Sequence, residues 1–261
     1  MLDAVVAAAR AGGELALGYF QAGARHWQKE DASVVTEADL AVDRLLNERL
    51  GAIDPGAGWL SEETADTPER LGRTRVWIVD PIDGTRAFVK GLDDWVISIG
   101  LVEHGRPVMG VIFNPRRNEM FSAVAGGGAL LDGIPLAVPA PAPAGRATAI
   151  GPRGPLAALE ALGIARGEPV YALAYRLIQV AAGRCDAALA SARARDWDLA
   201  AADLSLAEAG AELRALDGAR VGYNRPVPVH GPLVAAAEPL NGVVRAALAD
   251  AARAVPPPAW T

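Results

Sequence analysis

The chain has 261 residues, 51% apolar and 21% charged, a balance that excludes disorder as the main state and leaves room for one large or two medium domains. A net charge of −6 excludes nucleic acid as a general partner, because a phosphate backbone needs a cationic face. No apolar run approaches the roughly 18 residues of a membrane span, and Met1-Leu2-Asp3 opens without a signal-peptide pattern, so the cytoplasm is the expected location.

In chain order, Val5, Val6, Ala9, Leu15, Ala16, Tyr19 and Phe20 recur at near-helical spacing and predict an amphipathic opening helix. A second helix is predicted after Thr36, with Leu40, Leu45, Leu46 and Leu50 apolar and Thr36 with Asp39 forming a capping-box-like start. Arg75-Val76-Trp77-Ile78-Val79 is β-branched and aromatic with little alternation, which reads as a strand buried on both faces. Pro81 is expected to end it at Asp80, since proline cannot extend a central ladder. Residues 95–102 and 107–113 read as strands joined by Glu103-His104-Gly105-Arg106; residues 120–124 continue the sheet, and Gly126-Gly127-Gly128 marks a turn or bulge. The first half therefore reads as helices on a largely antiparallel sheet.

Pro139, Pro141 and Pro143 resist both helix and central strand, which places an expected domain boundary near residue 145. Beyond it, strands near Ala149, Ala187, Leu213 and Val234 alternate with helices predicted over 155–162, 175–182, 199–209 and 243–254, an α/β pattern. Pro256-Pro257-Pro258 is expected to end the last helix, and the single cysteine, Cys185, is expected to be a buried structural thiol.

Chemistry concentrates on Asp80-Pro81-Ile82-Asp83-Gly84-Thr85, two carboxylates three residues apart beyond a buried strand. Pro81 stiffens the turn, and Gly84 permits close backbone approach. A helix starting near Asp83 would offer the N–H groups of Gly84 and Thr85 to a phosphate. Carboxylates repel a phosphate unless hard cations lie between them, and Mg²⁺ prefers such oxygen ligands. An Asx-turn with a helix cap uses the same residue types. Trp59-Leu60-Ser61-Glu62-Glu63 and Trp197-Asp198-Leu199-Ala200-Ala201-Ala202-Asp203 add further acids, each alone compatible with a solvated face or a cap. His26, His104 and His230 show no ligand-like spacing and are expected at the surface or in structural roles.

Together, Ser61-Glu62-Glu63, Val79-Asp80-Pro81-Ile82-Asp83-Gly84-Thr85 with Phe88, and Trp197-Asp198-Leu199-Ala200-Ala201 resemble the inositol monophosphatase superfamily in order and spacing, over nearly the whole chain. The resemblance implies an α+β and α/β fold, the layered αβαβα sandwich of the sugar phosphatases, usually a homodimer. Residues 1–145 would carry most metal ligands, and residues 146–261 would supply Asp198 and substrate contacts. It also implies a Mg²⁺-dependent, Li⁺-sensitive phosphomonoesterase acting on a small-molecule phosphate ester with two or three Mg²⁺. Glu62, Asp80 and the carbonyl of Ile82 would hold the first ion. Asp80, Asp83 and Asp198 would hold the second, with Asp80 bridging. A third, weaker ion would lean on Glu62 through water, and Glu63 would stand no nearer than the outer sphere. Thr85 would hydrogen-bond the attacking water and Asp39 would orient Thr85, a role compatible with capping. Without cations such converging carboxylates repel and take up protons.

Arg86 follows the threonine, which looks more like 3′(2′),5′-bisphosphate nucleotidases and histidinol-phosphatase-like members than like inositol-directed ones. Ser191 stands where inositol-directed members carry an acid that binds sugar hydroxyls. Arg193 and Arg195 suit a second anionic group, unless they form a solvated loop. The expected substrate contacts are thus Asp83, Gly84, Thr85, Arg86, Ser191, Arg193, Arg195 and Asp198. The expected ester is a bisphosphonucleotide losing its 3′-phosphate, followed by inositol 1-phosphate and then histidinol phosphate. A non-catalytic interaction role is disfavoured because every ligand position is filled.

Overall fold

A computed structural model describes residues 1–29 and 33–254; Pro256-Pro257-Pro258 lies outside them. Helix α1 (Leu2–Ala22) buries Val5, Ala8, Ala9 and Ala16 along one face. An antiparallel hairpin of β1 (His26–Gln28) and β2 (Val34–Thr36) leads into α2 (Glu37–Ile53). Thr36 is the N-cap of α2. Its hydroxyl accepts the N–H groups of Ala38 and Asp39, while the Asp39 carboxylate accepts the Thr36 N–H, so aspartate closes the capping box despite its short side chain.

The first sheet has seven strands in chain order: β3 (Gly58–Ser61), β4 (Arg75–Asp83), β5 (Val96–Glu103), β6 (Arg106–Asn114), β7 (Glu119–Val124), β8 (Gly128–Leu131) and β9 (Ile134–Pro135). Only β3 and β4 run parallel. Strand β4 does not end at Asp80. It continues to Asp83 through a register shift, with Asp80 opposite Ser98 and Asp83 opposite Val96. Pro81 sits inside this irregular stretch, where its missing N–H costs no ladder bond. The short helix α3 (Thr85–Val89) follows.

The second sheet is built from β10 (Thr148–Ile150), β11 (Ala165–Arg166), β12 (Ala187–Ala190), β13 (Glu212–Ala215) and β14 (Leu233–Ala236), in the order β11-β10-β12-β14-β13. Strand β10 is parallel to β11 and β12, whereas β14 is antiparallel to β12 and β13. Four helices accompany it: α4 (Arg153–Glu160), α5 (Leu173–Ala181), α6 (Asp196–Ala209) and α7 (Leu240–Ala254).

The elements stack in five layers. Helices α1 and α2 cover one face of the first sheet, α5 and α6 fill the space between the sheets, and α4 with α7 covers the outer face of the second. Along β4, Trp77 and Val79 point into the core under α1 and α2, while Val76 and Ile78 point into the core around α5 and α6. Period-two alternation with both faces buried explains the unbroken apolar run. This is the αβαβα sandwich. Residue 145 falls in the turn Ala144–Arg146 between the two sheets, and the middle core takes side chains from both sides of it.

Helix α6 lies unusually close to the first sheet. A Cβ on Gly110 of β6 would stand 2.7 Å from the Ala201 carbonyl oxygen, and one on the facing Gly100 of β5 would stand 2.9 Å from Ala200 Cβ. Cys185 is buried, as expected. Among the described residues no helix is long and apolar enough to cross a membrane.

Candidate metal centre

The irregular end of β4 delivers Asp80 and Asp83, and the first turn of α6 delivers Asp198. Carboxylate oxygens of these three residues lie within 4.8 Å of one another. Each is held by main-chain donors. Asp80 accepts the Ile82 N–H at 3.0 Å, and Asp198 accepts the Arg195 N–H at 2.7 Å. That last bond starts α6 at Asp196, earlier than the predicted residue 199. Asp83 accepts N–H groups of Leu173 (2.9 Å) and Ala174 (2.6 Å) at the positive end of α5. Glu62 continues from β3, its N–H donating to the Val79 carbonyl at 3.3 Å. Its carboxyl stands beside Asp80 but outside the set of three.

Thr85 is placed by two acceptors, Asp39 Oδ1 and the Ile82 carbonyl, each 3.1 Å from Oγ1. The other Asp39 oxygen takes the Thr36 N–H (2.8 Å) and hydroxyl (2.5 Å). One buried carboxylate thus caps α2 and anchors Thr85. Gly84 adopts φ 92°, and a Cβ there would meet the Asp94 carbonyl at 2.9 Å, so glycine is required on both counts.

The electrostatics are those of crowded acids. Burial first, then Glu62, Asp83 and Asp198, push the Asp80 carboxyl far above the usual range. Burial and then Asp83 do the same to Asp198. Burial raises Asp83 to about 6, partly offset by its α5 hydrogen bonds, and raises Glu62 to about 7 against the pull of Lys29. The donors are all carboxylate oxygens, which fits hard divalent cations such as Mg²⁺.

Several supporting residues lie outside the sequence motifs. Lys29, just past β1, places its ammonium 2.6 Å from Glu63 and 3.9 Å from Glu62. Asp43 accepts the hydroxyls of Ser61 and Thr64 and so braces the loop bearing Glu62; its position four residues after Asp39 on α2 was the available clue. Arg176 donates to the Val170 and Leu189 carbonyls and lies near Asp83 and Asp198. A run of polar contacts joins the loop after β3 to the first residue of α6. Buried Arg70 pairs with Asp66 (2.6 Å) and Asn224 Oδ1 (2.6 Å), the Asn224 N–H donates to Asp196 (2.7 Å), and Asp196 meets His230 at 2.6 Å.

Among the residues singled out for the rest of the substrate, Arg195 lies near Asp198 with its guanidinium 5.7 Å above the Trp197 ring. Arg193 is exposed in a left-handed conformation (φ 77°), its N–H donating to the His230 carbonyl. Ser191 is half-buried just after β12, and Arg86 is exposed on α3. His230 is structural, whereas His26 and His104 are exposed.

The sequence pattern of the inositol monophosphatase family matches residues 1–255. The 3′(2′),5′-bisphosphate nucleotidase CysQ of Aggregatibacter actinomycetemcomitans is 31% identical over 236 residues, 86% of this chain and 88% of that protein. The CysQ of Escherichia coli O157:H7 is 37% identical over 130 residues; this match spans 48% of the chain and only 52% of that relative, about half its length. The IMPase of Thermotoga maritima superposes with a TM-score of 0.86 at 25% identity, covering 97% of this chain and 98% of that one. The chain belongs to the inositol monophosphatase family.

Proposed function

We propose that the protein is a Mg²⁺-dependent phosphomonoesterase acting on a small-molecule phosphate ester, as a cytoplasmic homodimer. The convergence of Asp80, Asp83 and Asp198 carries this reading, because two buried carboxylates and a half-buried one within 4.8 Å of one another call for cations. Glu62, Asp80 and the Ile82 carbonyl would hold one ion, and Asp80, Asp83 and Asp198 a second. Bound divalent ions would supply a more acidic water and charge neutralisation at the leaving oxygen.

The chain's own residues then do the orienting. Thr85 has one hydroxyl proton and two acceptors within 3.1 Å. With the Ile82 carbonyl taken up as a ligand, that proton would point to Asp39. The Thr85 lone pairs would then be free to accept a proton of the attacking water and aim its oxygen. Asp39 cannot swing away, because its second oxygen is tied to Thr36. The first N–H groups of α3 would seat the phosphate. Lys29 would hold Glu63 and leave Glu62 turned to the ions.

For the ester, the reading leans to a 3′(2′),5′-bisphosphate nucleotide losing its 3′-phosphate, supported by the CysQ relatives and by Arg195 beside Asp198 as a partner for a second phosphate. Inositol 1-phosphate follows, supported by the likeness to the Thermotoga maritima IMPase. The test is phosphate release from adenosine 3′,5′-bisphosphate, inositol 1-phosphate and histidinol phosphate, with Mg²⁺, with EDTA and with added LiCl against KCl. Release from none of them in Mg²⁺ would refute the enzyme reading. A higher kcat/KM for either other ester would refute the nucleotide reading alone.

A further inference from the structure

Away from the carboxylate cluster, a cavity of about 360 Å³ opens between β6, α6 and β13, within the size range of small-molecule sites. Two measures set it apart from that cluster. Ala207 on its wall lies nine residues along α6 from Asp198, about 14 Å of helix. Arg106 pairs with Glu103, which lies five residues along β5 from Ser98, the partner of Asp80, about 17 Å of strand.

Three guanidiniums from separate segments meet there: Arg106 at the start of β6, Arg214 on β13 and Arg220 just past the turn that follows β13. The backbone brings them together. In the turn, the Gly218 N–H donates to the Ala215 carbonyl and the Ala215 N–H to the Ala219 carbonyl. Arg220 is thereby set directly opposite Arg214 in an antiparallel bridge. The segment beyond is stitched to the β5–β6 hairpin. The Tyr223 N–H donates to the Gly105 carbonyl at 3.2 Å, and Arg106 Nη1 donates to the Val221 carbonyl at 3.1 Å.

Like charges directly opposite each other in an antiparallel pair repel, so the arrangement calls for counter-charge. Two acids share the wall, and both are already engaged. Glu212 holds Arg214 in a bidentate pair at 2.9 and 2.6 Å, and Asp203 accepts the Tyr223 hydroxyl at 2.9 Å. Arg106 and Arg220 line the cavity and are also exposed, so an incoming anion reaches them. Leu204, Leu213 and Val221, all buried, give the cavity an apolar floor. A carboxylate offers two oxygens in one plane and suits a single guanidinium fork, whereas a phosphate group offers three on a tetrahedron and accepts from guanidiniums on different walls. We propose that this cavity binds a small organic phosphate, its phosphate group between Arg106 and Arg220 and its carbon part against the Leu204, Leu213 and Val221 floor. The assignment does not depend on which ester the metal centre hydrolyses.

The experiment uses the full chain in EDTA, where the bare carboxylates of the metal centre repel anions. Calorimetry follows the binding of phenylphosphonate, which has no ester bond to hydrolyse, and of inorganic phosphate and benzoate. The wild type is expected to bind phenylphosphonate saturably, inorganic phosphate more weakly and benzoate more weakly still. Arg220→Met and Arg106→Met should each weaken phenylphosphonate about tenfold or more, the loss of a charge-assisted contact, at a wild-type Tm. Arg166→Met, which removes an arginine paired with Glu160 on another face, should leave binding unchanged, and Asp203→Asn should tighten it by removing a like charge from the wall. Absence of saturable binding to the wild type overturns the assignment, as does wild-type affinity in both arginine variants. Benzoate bound as tightly as phenylphosphonate overturns the choice of a phosphate in favour of a carboxylate. Should Arg220→Met melt early, Arg220→Gln takes its place with the same expected loss, and unchanged affinity there overturns the assignment equally.

Discussion

Gly110→Ala tests whether the fold sets the metal centre through the close approach of α6 to the first sheet. Gly110 lies under Ala201, three residues along α6 from Asp198. The added Cβ would stand 2.7 Å from the Ala201 oxygen and 3.0 Å from its Cα. Both are main-chain atoms, so no side chain can swing aside. Ordinary contact begins at 3.4 Å, and α6 must therefore lift by about 0.7 Å at this point, an overpacking that costs about 1–3 kcal/mol. In a chain of this size each kcal/mol lowers Tm by roughly 2–4 °C. The same lift carries Asp198 away from Asp80 and Asp83, which stay with β4. A misplacement near 1 Å costs about 10²-fold in rate, so kcat/KM should fall by roughly 10- to 100-fold, with a weaker apparent Mg²⁺ affinity. Calorimetry, an activity titration with Mg²⁺ and steady-state kinetics read the three effects. Gly51→Ala in α2, where a Cβ meets nothing within 4 Å, is the control. A wild-type Tm in Gly110→Ala would refute the close-approach reasoning. A lowered Tm with wild-type kcat/KM would refute the link from helix position to metal centre.

Asp80→Asn should nearly abolish turnover by removing the carboxylate proposed to serve both ions, and a retained kcat would show the ligand assignment to be wrong. Thr85→Ala should lower kcat more than it raises KM, by less than the roughly 10²–10⁴-fold of a general base; a pure KM effect would move Thr85 to substrate binding. Arg70→Met cuts the run of contacts between Asp66 and Asn224 and should lower the urea midpoint, with a loss of about 2 kcal/mol or more for stranding partly buried polar partners; an unchanged midpoint would leave the run without weight. Burial pushes the Asp203 carboxyl up to about 6 from 3.8, against its hydrogen bond from the Tyr223 hydroxyl. The folded state therefore holds a proton that the unfolded chain releases, and stability falls as pH rises from about 4 to 6 and stays reduced above. Asp203→Asn should then stabilise by about 1–2 kcal/mol at pH 8, allowing for partial exposure, and by nothing at pH 4; equal effects at both pH values would refute the titration.

What the sequence discloses of this site follows from where its parts sit. Asp80, Asp83 and Asp198 stand at the end of a strand and the start of a helix, where an apolar run stops and an acid interrupts it; that change of pattern is local and can be read from neighbours. Strands β1, β2, β3, β8, β9 and β11 run two to four residues and, unlike the equally short β12 and β14, are not uniformly buried apolar runs. Strand β4 runs through Pro81 only because β5 pairs with it out of register, which is a property of the partner strand. Helix α6 lies between two sheets and buries apolar residues on more than one face, so its start shows in the Asp198–Arg195 bond instead of an amphipathic pattern. Lys29 acts on Glu63 across 34 positions and Arg70 on Asn224 across 154; no window along the chain contains either pair. The same distinction separates the ligands from their supports. The acids that would bind metal are marked by short-range patterns, whereas Lys29 reaches Glu63 only because the chain after β1 folds against the loop after β3.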